Sequence, residues 1–317
     1  MHRPPTDSRR TARAFAMLAL VTVLWAGNSI IGRAVRFDVP PITLGFGRWL
    51  LASVLLLPWS IPAVRRDWPV IQRYWPRLLL LGLVGIAAFN SLLYTGLHHS
   101  TATNAMLIQA SVPAFVLVFN WLFFRDRSPR AQVLGVGLAG IGVAVIVFQG
   151  DPAQAAALHF AMGDLILLGS AVAWALYTAL LRLRPPIAPV SFVGVTFAVG
   201  AVALAPFAWG EWHAGLRVNW SPAVFAAYTY VALFASLTAY FLFNAAAARV
   251  GAVAAGQATT ALPVSGAVLS ALILGEPLHF YHLLGMALIL GGIAMGAIGL
   301  RKSPAGAPRA ARLEDAP

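Results

Sequence analysis

The sequence predicts an all-α integral membrane protein of ten transmembrane helices, arranged as two inverted five-helix repeats. Three observations carry this. Ten apolar stretches, each roughly twenty residues long and so able to cross the hydrocarbon core, run between Ala14 and Leu300. Short connectors between them hold nearly every charge, and the two halves of the chain match each other at an almost constant offset. The composition agrees: 60% hydrophobic and 10% charged residues leave too little polar surface to clothe a water-soluble globule of 317 residues.

The spans fall near 14–33, 41–61, 77–97, 101–124, 131–149, 160–181, 188–209, 222–246, 251–275 and 281–300. An even number puts both termini on one side, and Lys and Arg, which resist transfer across the bilayer, decide which side. With the N-terminus inside, eighteen of the 22 basic residues fall in cytoplasmic segments. Only Arg33, Arg36 and Arg217 fall outside, and Arg48 remains within the second span. Both termini are therefore expected in the cytoplasm of a bacterial cell, with the chain multi-pass in the inner membrane. Residues 1–13 form the cytoplasmic N-terminus. Ser8-Arg9-Arg10 before an apolar run has the look of a twin-arginine signal, but without a small-residue cleavage site an uncleaved first helix is the better reading. The tail 301–317, rich in Pro, Ala and Gly with mixed charge, has no apolar area to bury and is expected to be disordered.

The net charge of +12 is a topology signal and not a nucleic-acid footprint, because the basic residues are dispersed between spans with no basic face, so no nucleic-acid partner is expected. Cysteine is absent, which removes disulfides, thiolate metal sites and cysteine nucleophiles together.

An offset of 149 residues sets Trp25-Ala26 on Trp174-Ala175, Arg33 on Arg182 and Pro40 on Pro189. From the third span onward an offset of 150 does better, setting Pro113 on Pro263, Asp126 on Glu276, Gly135 on Gly285 and Gly142 on Gly292. Such a series implies duplication of a five-span unit. Five is odd, so the second copy enters the membrane from the opposite side and the halves are inverted. Inverted repeats lend themselves to alternating access, because exchanging the conformations of the two halves turns an inward-open shape into an outward-open one.

Several motifs resemble the EamA family of the drug/metabolite transporter superfamily across residues 14–300. They are Trp25-Ala26-Gly27-Asn28, Arg48 and Tyr94-Thr95-Gly96-Leu97 leading to Pro113 in the first half. In the second they are Gly163-Asp164-Leu165, Trp174-Ala175-Leu176-Tyr177, Pro263 and Leu274-Gly275-Glu276-Pro277 before a glycine-rich last helix. The resemblance implies a five-plus-five helix exporter, with repeats at 14–149 and 160–300 joined by an outer connector, 150–159. One departure stands out: where the family commonly closes its fourth helix with Gly-Glu-Arg, this chain reads Arg125-Asp126-Arg127.

Helical spacing alone nominates the residues that line a pathway, since positions three and four apart share a face and polar faces in lipid turn inward. Trp25, Asn28 and Ser29 form such a face in the first span, and Trp174, Tyr177 and Thr178 its counterpart in the sixth. Asn90 and Tyr94 in the third span correspond to Tyr240 and Asn244 in the eighth, the same two residue types in reverse order. Gln257 and Thr260 share a face near Pro263, and Gln109 lies one turn before Pro113. Each of these polar residues has a second reading as interhelical hydrogen-bond glue, about 1 kcal/mol apiece. Pro113 and Pro263 each remove a backbone hydrogen bond within a span, so kinks or gates are expected there.

No acid or histidine falls near mid-membrane, so the sequence offers no buried proton relay and points to facilitated movement, or to weak coupling through Asp164 and Glu276 at helix ends. Asp164 also reads as a first-turn cap and Glu276 as a connector acid. Arg48 reads either as snorkelling to the outer interface or as a fixed charge holding a carboxylate-bearing solute or a partner acid. The fifth and tenth spans are nearly free of polar residues but rich in glycine. Gly292 and Gly296 would pack within one bundle or between subunits, which leaves monomer or homodimer open. The expected protein exports small metabolites, amino acids or related amphipathic solutes, by alternating access; the other readings are a passive pore or a non-transporting membrane scaffold. Its partners are a small-molecule substrate and the lipid bilayer, with no cofactor and no metal. Paired carboxylates, metal-ligand pairs and base-adjacent serines are missing from the spans, which argues against an enzyme.

Overall fold

The computed structural model describes residues 6–100, 105, 108–109, 111–126, 128–148, 151, 153, 162–274 and 279–302, and every regular element among them is helical. We number the helices α1 (Thr6–Ala34), α2 (Pro41–Arg73), α3 (Trp75–His99), α4 (Val112–Phe124), α5 (Arg130–Val147), α6 (Met162–Leu180), α7 (Pro189–His213), α8 (Pro222–Val250), α9 (252–274) and α10 (Phe280–Lys302). Six segments, within α1, α2, α3, α6, α7 and α8, are long and apolar enough to cross a membrane. Val112–Phe124, Arg130–Val145 and Phe280–Gly296 are shorter apolar helices. Of the tail, Arg301 and Lys302 complete α10, and the rest lies outside the described residues, as does most of the connector 150–159.

The burial pattern is inverted relative to a soluble protein. Phe37, Trp59, Val202, Phe207 and Phe280 are exposed, while Asn28, Arg48, Asn90, Thr178 and Gln257 are buried. An apolar exterior around a polar interior is what lipid as solvent selects, because a polar group facing hydrocarbon costs free energy while an apolar one facing it costs nothing.

α2 and α7 begin alike. Each starts on a proline, whose fixed φ suits the first helical turn and whose missing N–H costs nothing there. Neither has a cap from its own residues. Instead Glu211, at the end of α7, accepts from the amides of Ile42 and Thr43 (3.0 and 2.7 Å) and from Thr43 Oγ1 at the start of α2. Reciprocally, Asp67, near the end of α2, accepts from Ala188 N (2.8 Å) and Ser191 Oγ (2.7 Å) at the start of α7. The start of each helix meets the end of the other, so the pair is antiparallel. The Asp67 anchorage also explains why α2 runs to Arg73 and not to 61: packing along α7 carries it through Pro58, Pro62 and Pro69. Arg65, Arg66 and Arg73 thus lie on a helix and not in a connector.

α3 and α8 each contain a π-helical segment, Leu83–Ala88 and Val231–Thr238. The 150-residue offset places 83–88 on 233–238, so the widened turn recurs at the same place in both halves. π-segments of this kind loosen the backbone ladder and concentrate at functional sites. α9 is broken as well: Ala252–Ala258, a 3-10 turn Thr259–Ala261, then Leu262–Leu274. Pro263 stands at the start of its last segment, and Pro113 within the first two positions of α4. The prolines therefore begin helical segments, where the missing N–H is tolerated, and do not kink continuous helices. α4 ends at Arg125, which takes a left-handed conformation (φ 54°) that favours glycine.

The most extensive helix pairings are α2 with α7, α5 with α10, α3 with α6 and α1 with α8. Under the offset the first two map onto themselves and the last two onto each other. The α5–α10 seam shows this at atomic scale. A Cβ at Gly135 would meet Gly292 O, and one at Gly142 would meet Gly285 O, with 135/285 and 142/292 being equivalent positions. Gly296 packs against Gln257. These glycines are spent inside the chain.

Candidate functional site

The centre of the molecule is built around Arg48, on α2. Its side chain is 2% exposed, and its donors reach both halves of the chain. Nε donates to Ser236 Oγ (2.5 Å) and Nη2 to Ala235 O (2.9 Å) on the π-segment of α8. Nη1 donates to Asn28 Oδ1 (3.2 Å), Asn90 Oδ1 (3.1 Å) and the Tyr94 hydroxyl (2.9 Å) from α1 and α3. The guanidinium lies 4.5 Å from the Trp49 ring centre. Arg48 therefore does not snorkel: a guanidinium that finds five neutral acceptors within the bundle has no need of the interface.

An aromatic wall adjoins it. Trp25 meets Trp174 edge to face at 4.9 Å, and Phe243 lies 5.3 Å from the first ring and 5.1 Å from the second. Phe89, Tyr177 and Tyr240 pack on Trp174, while Trp49 and Phe197 pack on Tyr240. Since Trp25 and Trp174 are repeat equivalents, the contact between the two halves passes between them.

Four further pairings cross or mirror this line. The Tyr94 hydroxyl donates to Asn28 Oδ1 at 3.0 Å, and the Tyr177 hydroxyl to Asn244 Oδ1 at 3.0 Å. Asn28 corresponds to Tyr177 and Tyr94 to Asn244, so the same hydrogen bond exists in both halves with donor and acceptor exchanged between helices. The π-segment carbonyls correspond too: Gly85 O accepts from Tyr240 of the other half (3.0 Å), and Ala235 O from Trp25 Nε1 (3.1 Å) as well as Arg48. Carbonyls released by the widened turn are satisfied across the divide, as buried backbone groups in lipid must be.

The nominated residues thus divide. Trp25, Asn28, Asn90, Tyr94, Trp174, Tyr177, Tyr240 and Asn244 come together with Arg48. Ser29 and Thr178 bond back to the carbonyls of Trp25 and Trp174 in their own helices. Thr260 does the same to Gln257 O. Gln257 donates to Gly292 O at 2.6 Å and ties α9 to α10. Gln109 Nε2 reaches Ser170 Oγ at 3.3 Å, between α4's approach and α6. Asp164, 2% exposed, accepts from Ser100 Oγ and joins the end of α3 to the start of α6. Glu276 lies outside the described residues. Its equivalent Asp126 pairs with Arg182 at 2.6 Å, on the surface.

Sequence reading did not nominate Gly85 and Ala235, which act through their carbonyls, nor Ser236, whose hydroxyl meets Arg48, nor Phe243, Phe89 and Phe197, which look like ordinary lipid-facing residues. The offset was the one signal available, since it sets Gly85 on Ala235. Two grooves flank the α2–α7 seam beyond this centre. One, of about 1010 Å³, is lined by Thr43, Phe46, Trp212 and Tyr228 among others; the second, of about 550 Å³, by Leu57, Ser60, Arg65 and Gly194 among others.

A duplicated helical bundle that hides a polar, cationic centre inside an apolar exterior is a multi-pass membrane protein. The chain belongs to the EamA-like transporter family, whose profile matches residues 12–148 and again 161–297. It is similar to an uncharacterized transporter of Bacillus subtilis, YetK, at 26% identity over 94% of this chain and 90% of that protein. A probable amino-acid metabolite efflux pump of Salmonella typhimurium is 25% identical over 89% of this chain and 94% of its own length. One solved crystal structure superposes with a TM-score of 0.70 at 19% identity, covering 93% of this chain and 99% of that one, and so shares the fold.

Proposed function

We propose that this protein is a secondary transporter that exports small amphipathic metabolites, amino acids or their relatives, across the bacterial inner membrane by alternating access of two inverted five-helix repeats, 14–149 and 160–300. One observation carries the reading. Contacts about the middle recur in mirrored form: Gly85 O and Ala235 O, at equivalent positions, each accept from the opposite half, Trp25 meets its equivalent Trp174, and the Tyr–Asn bond repeats within each half. Two arrangements related by swapping the halves would then be close in energy, which is the requirement for reciprocating access. The antiparallel α2–α7 pair supports inversion, because these helices are themselves repeat equivalents. The basic-residue bias supports cytoplasmic termini, and similarity to the probable efflux pump of Salmonella typhimurium supports export. Among the described residues no carboxylate or histidine bonds to Arg48, which favours movement down the solute's own gradient.

The chain's lack of cysteine makes the test direct. Ser170→Cys and Thr178→Cys lie about 12 Å apart along α6, at 1.5 Å per residue. In the double variant, a bulky impermeant maleimide reacted at one position from one side of the membrane wedges that mouth open. A carrier then loses labelling of the second position from the opposite side. Undiminished labelling from both sides at once would mean a pore.

A further inference from the structure

Among the described residues, every acceptor that Arg48 bonds at the buried centre is neutral. Arg66–Asp67 and Arg182–Asp126 are ion pairs, and neither involves Arg48. Building on the carrier reading above, we propose that Arg48 anchors the anionic head of the transported solute, a carboxylate, and that the solute's flat apolar body lies against the aromatic wall of the second repeat.

The hydrogen-bond account favours an anion. Nη1 has two hydrogens and three competing acceptors, whereas Nη2 has two hydrogens and one acceptor, Ala235 O. One Nη2 hydrogen is therefore unspent among the described residues. Two other buried donors border the same cluster with no partner: Trp49 Nε1, whose ring lies under the guanidinium, and Asn244 Nδ2, on the Tyr177 pair. A surplus of unpaired donors around an unneutralised cation calls for an acceptor-rich ligand of negative charge. A carboxylate competes with the neutral oxygens that now hold Nη1 by adding opposite charge and two oxygens that match the guanidinium fork.

The duplication explains the rest of the shape. Arg48 corresponds to Phe197 at the offset of 149, and Asn90 to Tyr240 at the offset of 150. Where the first half has the polar pair Arg48–Asn90, the second has the aromatic pair Phe197–Tyr240, 5.5 Å between ring centres. Two sites that began identical have diverged into a cationic half and an aromatic half, which adjoin through Trp49. That arrangement fits an amphipathic solute that presents a carboxylate to Arg48. A single guanidinium is too little for a phosphate dianion, and it repels a solute whose only charge is an ammonium.

The test uses the wild-type protein in lipid nanodiscs and three probes with one ring and three heads: phenylacetate, phenylacetamide and 2-phenylethylamine. Titration calorimetry is expected to show phenylacetate binding at least about tenfold more tightly than the amide, with the amine weakest. Arg48→Lys keeps that order with reduced affinity, since a point charge replaces the fork. Arg48→Gln loses the preference for the anion. Equal binding of phenylacetate and phenylacetamide, binding of none of the three, or an anion preference that survives Arg48→Gln overturns the anchor. The maleimide wedge uses none of these probes, so the carrier reading stands or falls separately.

Discussion

Substituting alanine for Gly292 tests whether the α5–α10 seam is a backbone-to-backbone contact. The new Cβ would stand 2.4 Å from Gly135 O, 2.8 Å from Ala139 N and 3.0 Å from Ala139 Cβ, where ordinary contact begins at 3.4 Å. Two of the three obstacles are main-chain atoms that no rotamer change can move aside, so the helices must part by about 1 Å. A gap of that size forfeits about a quarter to a half of the dispersion well of every contact it opens. It also pulls Gly292 O from Gln257 Nε2, now 2.6 Å away, and loosens the link to α9. Overpacking at about 1–3 kcal/mol plus a hydrogen bond of about 1 kcal/mol gives a loss of about 2–4 kcal/mol. Gly140, on α5, is the internal control: a Cβ there meets nothing within 4 Å. Gly140→Ala should leave stability unchanged or raise it by up to about 1 kcal/mol through helix propensity. Both variants would be unfolded reversibly in mixed micelles against wild type. A Gly292→Ala protein as stable as wild type, or a Gly140→Ala protein equally destabilised, would refute the close seam.

The end-to-end caps and the mirrored Tyr–Asn bonds make two further predictions. Glu211→Gln removes the charge that a helix N-terminus favours and should lower unfolding stability by about 1 kcal/mol, with the loss greater in Glu211→Ala, which also abandons Ile42 N and Thr43 N. Asp67→Asn should act in the same direction at the start of α7. An unchanged Glu211→Ala protein would mean these amides find other partners. A double-mutant cycle of Tyr177→Phe and Asn244→Leu should show a coupling of about 0.6–1.7 kcal/mol, the range of hydrogen bonds inside membranes. Strict additivity would argue that the mirrored bond contributes nothing.

Much of the fold was legible because lipid imposes coarse rules. Apolar length gave the six segments long enough to cross a membrane, and the helix starts at Pro41 and Pro189 coincide with those expected within a residue or two. Helix ends were less readable. α2 overran its expected end because the stop signals, Pro62 and Arg65-Arg66, were outweighed by packing and by Asp67's hold on α7. Of the nominated residues, the Asn, Tyr and Trp members converge, since their polar tips cannot face hydrocarbon and have few places to go. Ser29, Thr178 and Thr260 satisfy themselves within their own helices, as a short hydroxyl can reach the carbonyl three or four residues back. Gln257 became an α9–α10 tie because glycines at 292 and 296 bring that backbone within its reach.

By itself the sequence determined membrane residence, the duplication and the family, all of which depend on residue type and spacing along the chain. Which polar groups share an environment was decided only in three dimensions. Arg48 could have reached for the interface; it turns inward because a π-turn nearly two hundred residues later presents Ala235 O and Ser236 Oγ beside Asn28, Asn90 and Tyr94. Hydrogen bonds act over about 3 Å of space, whatever the separation in sequence, so no local pattern records them.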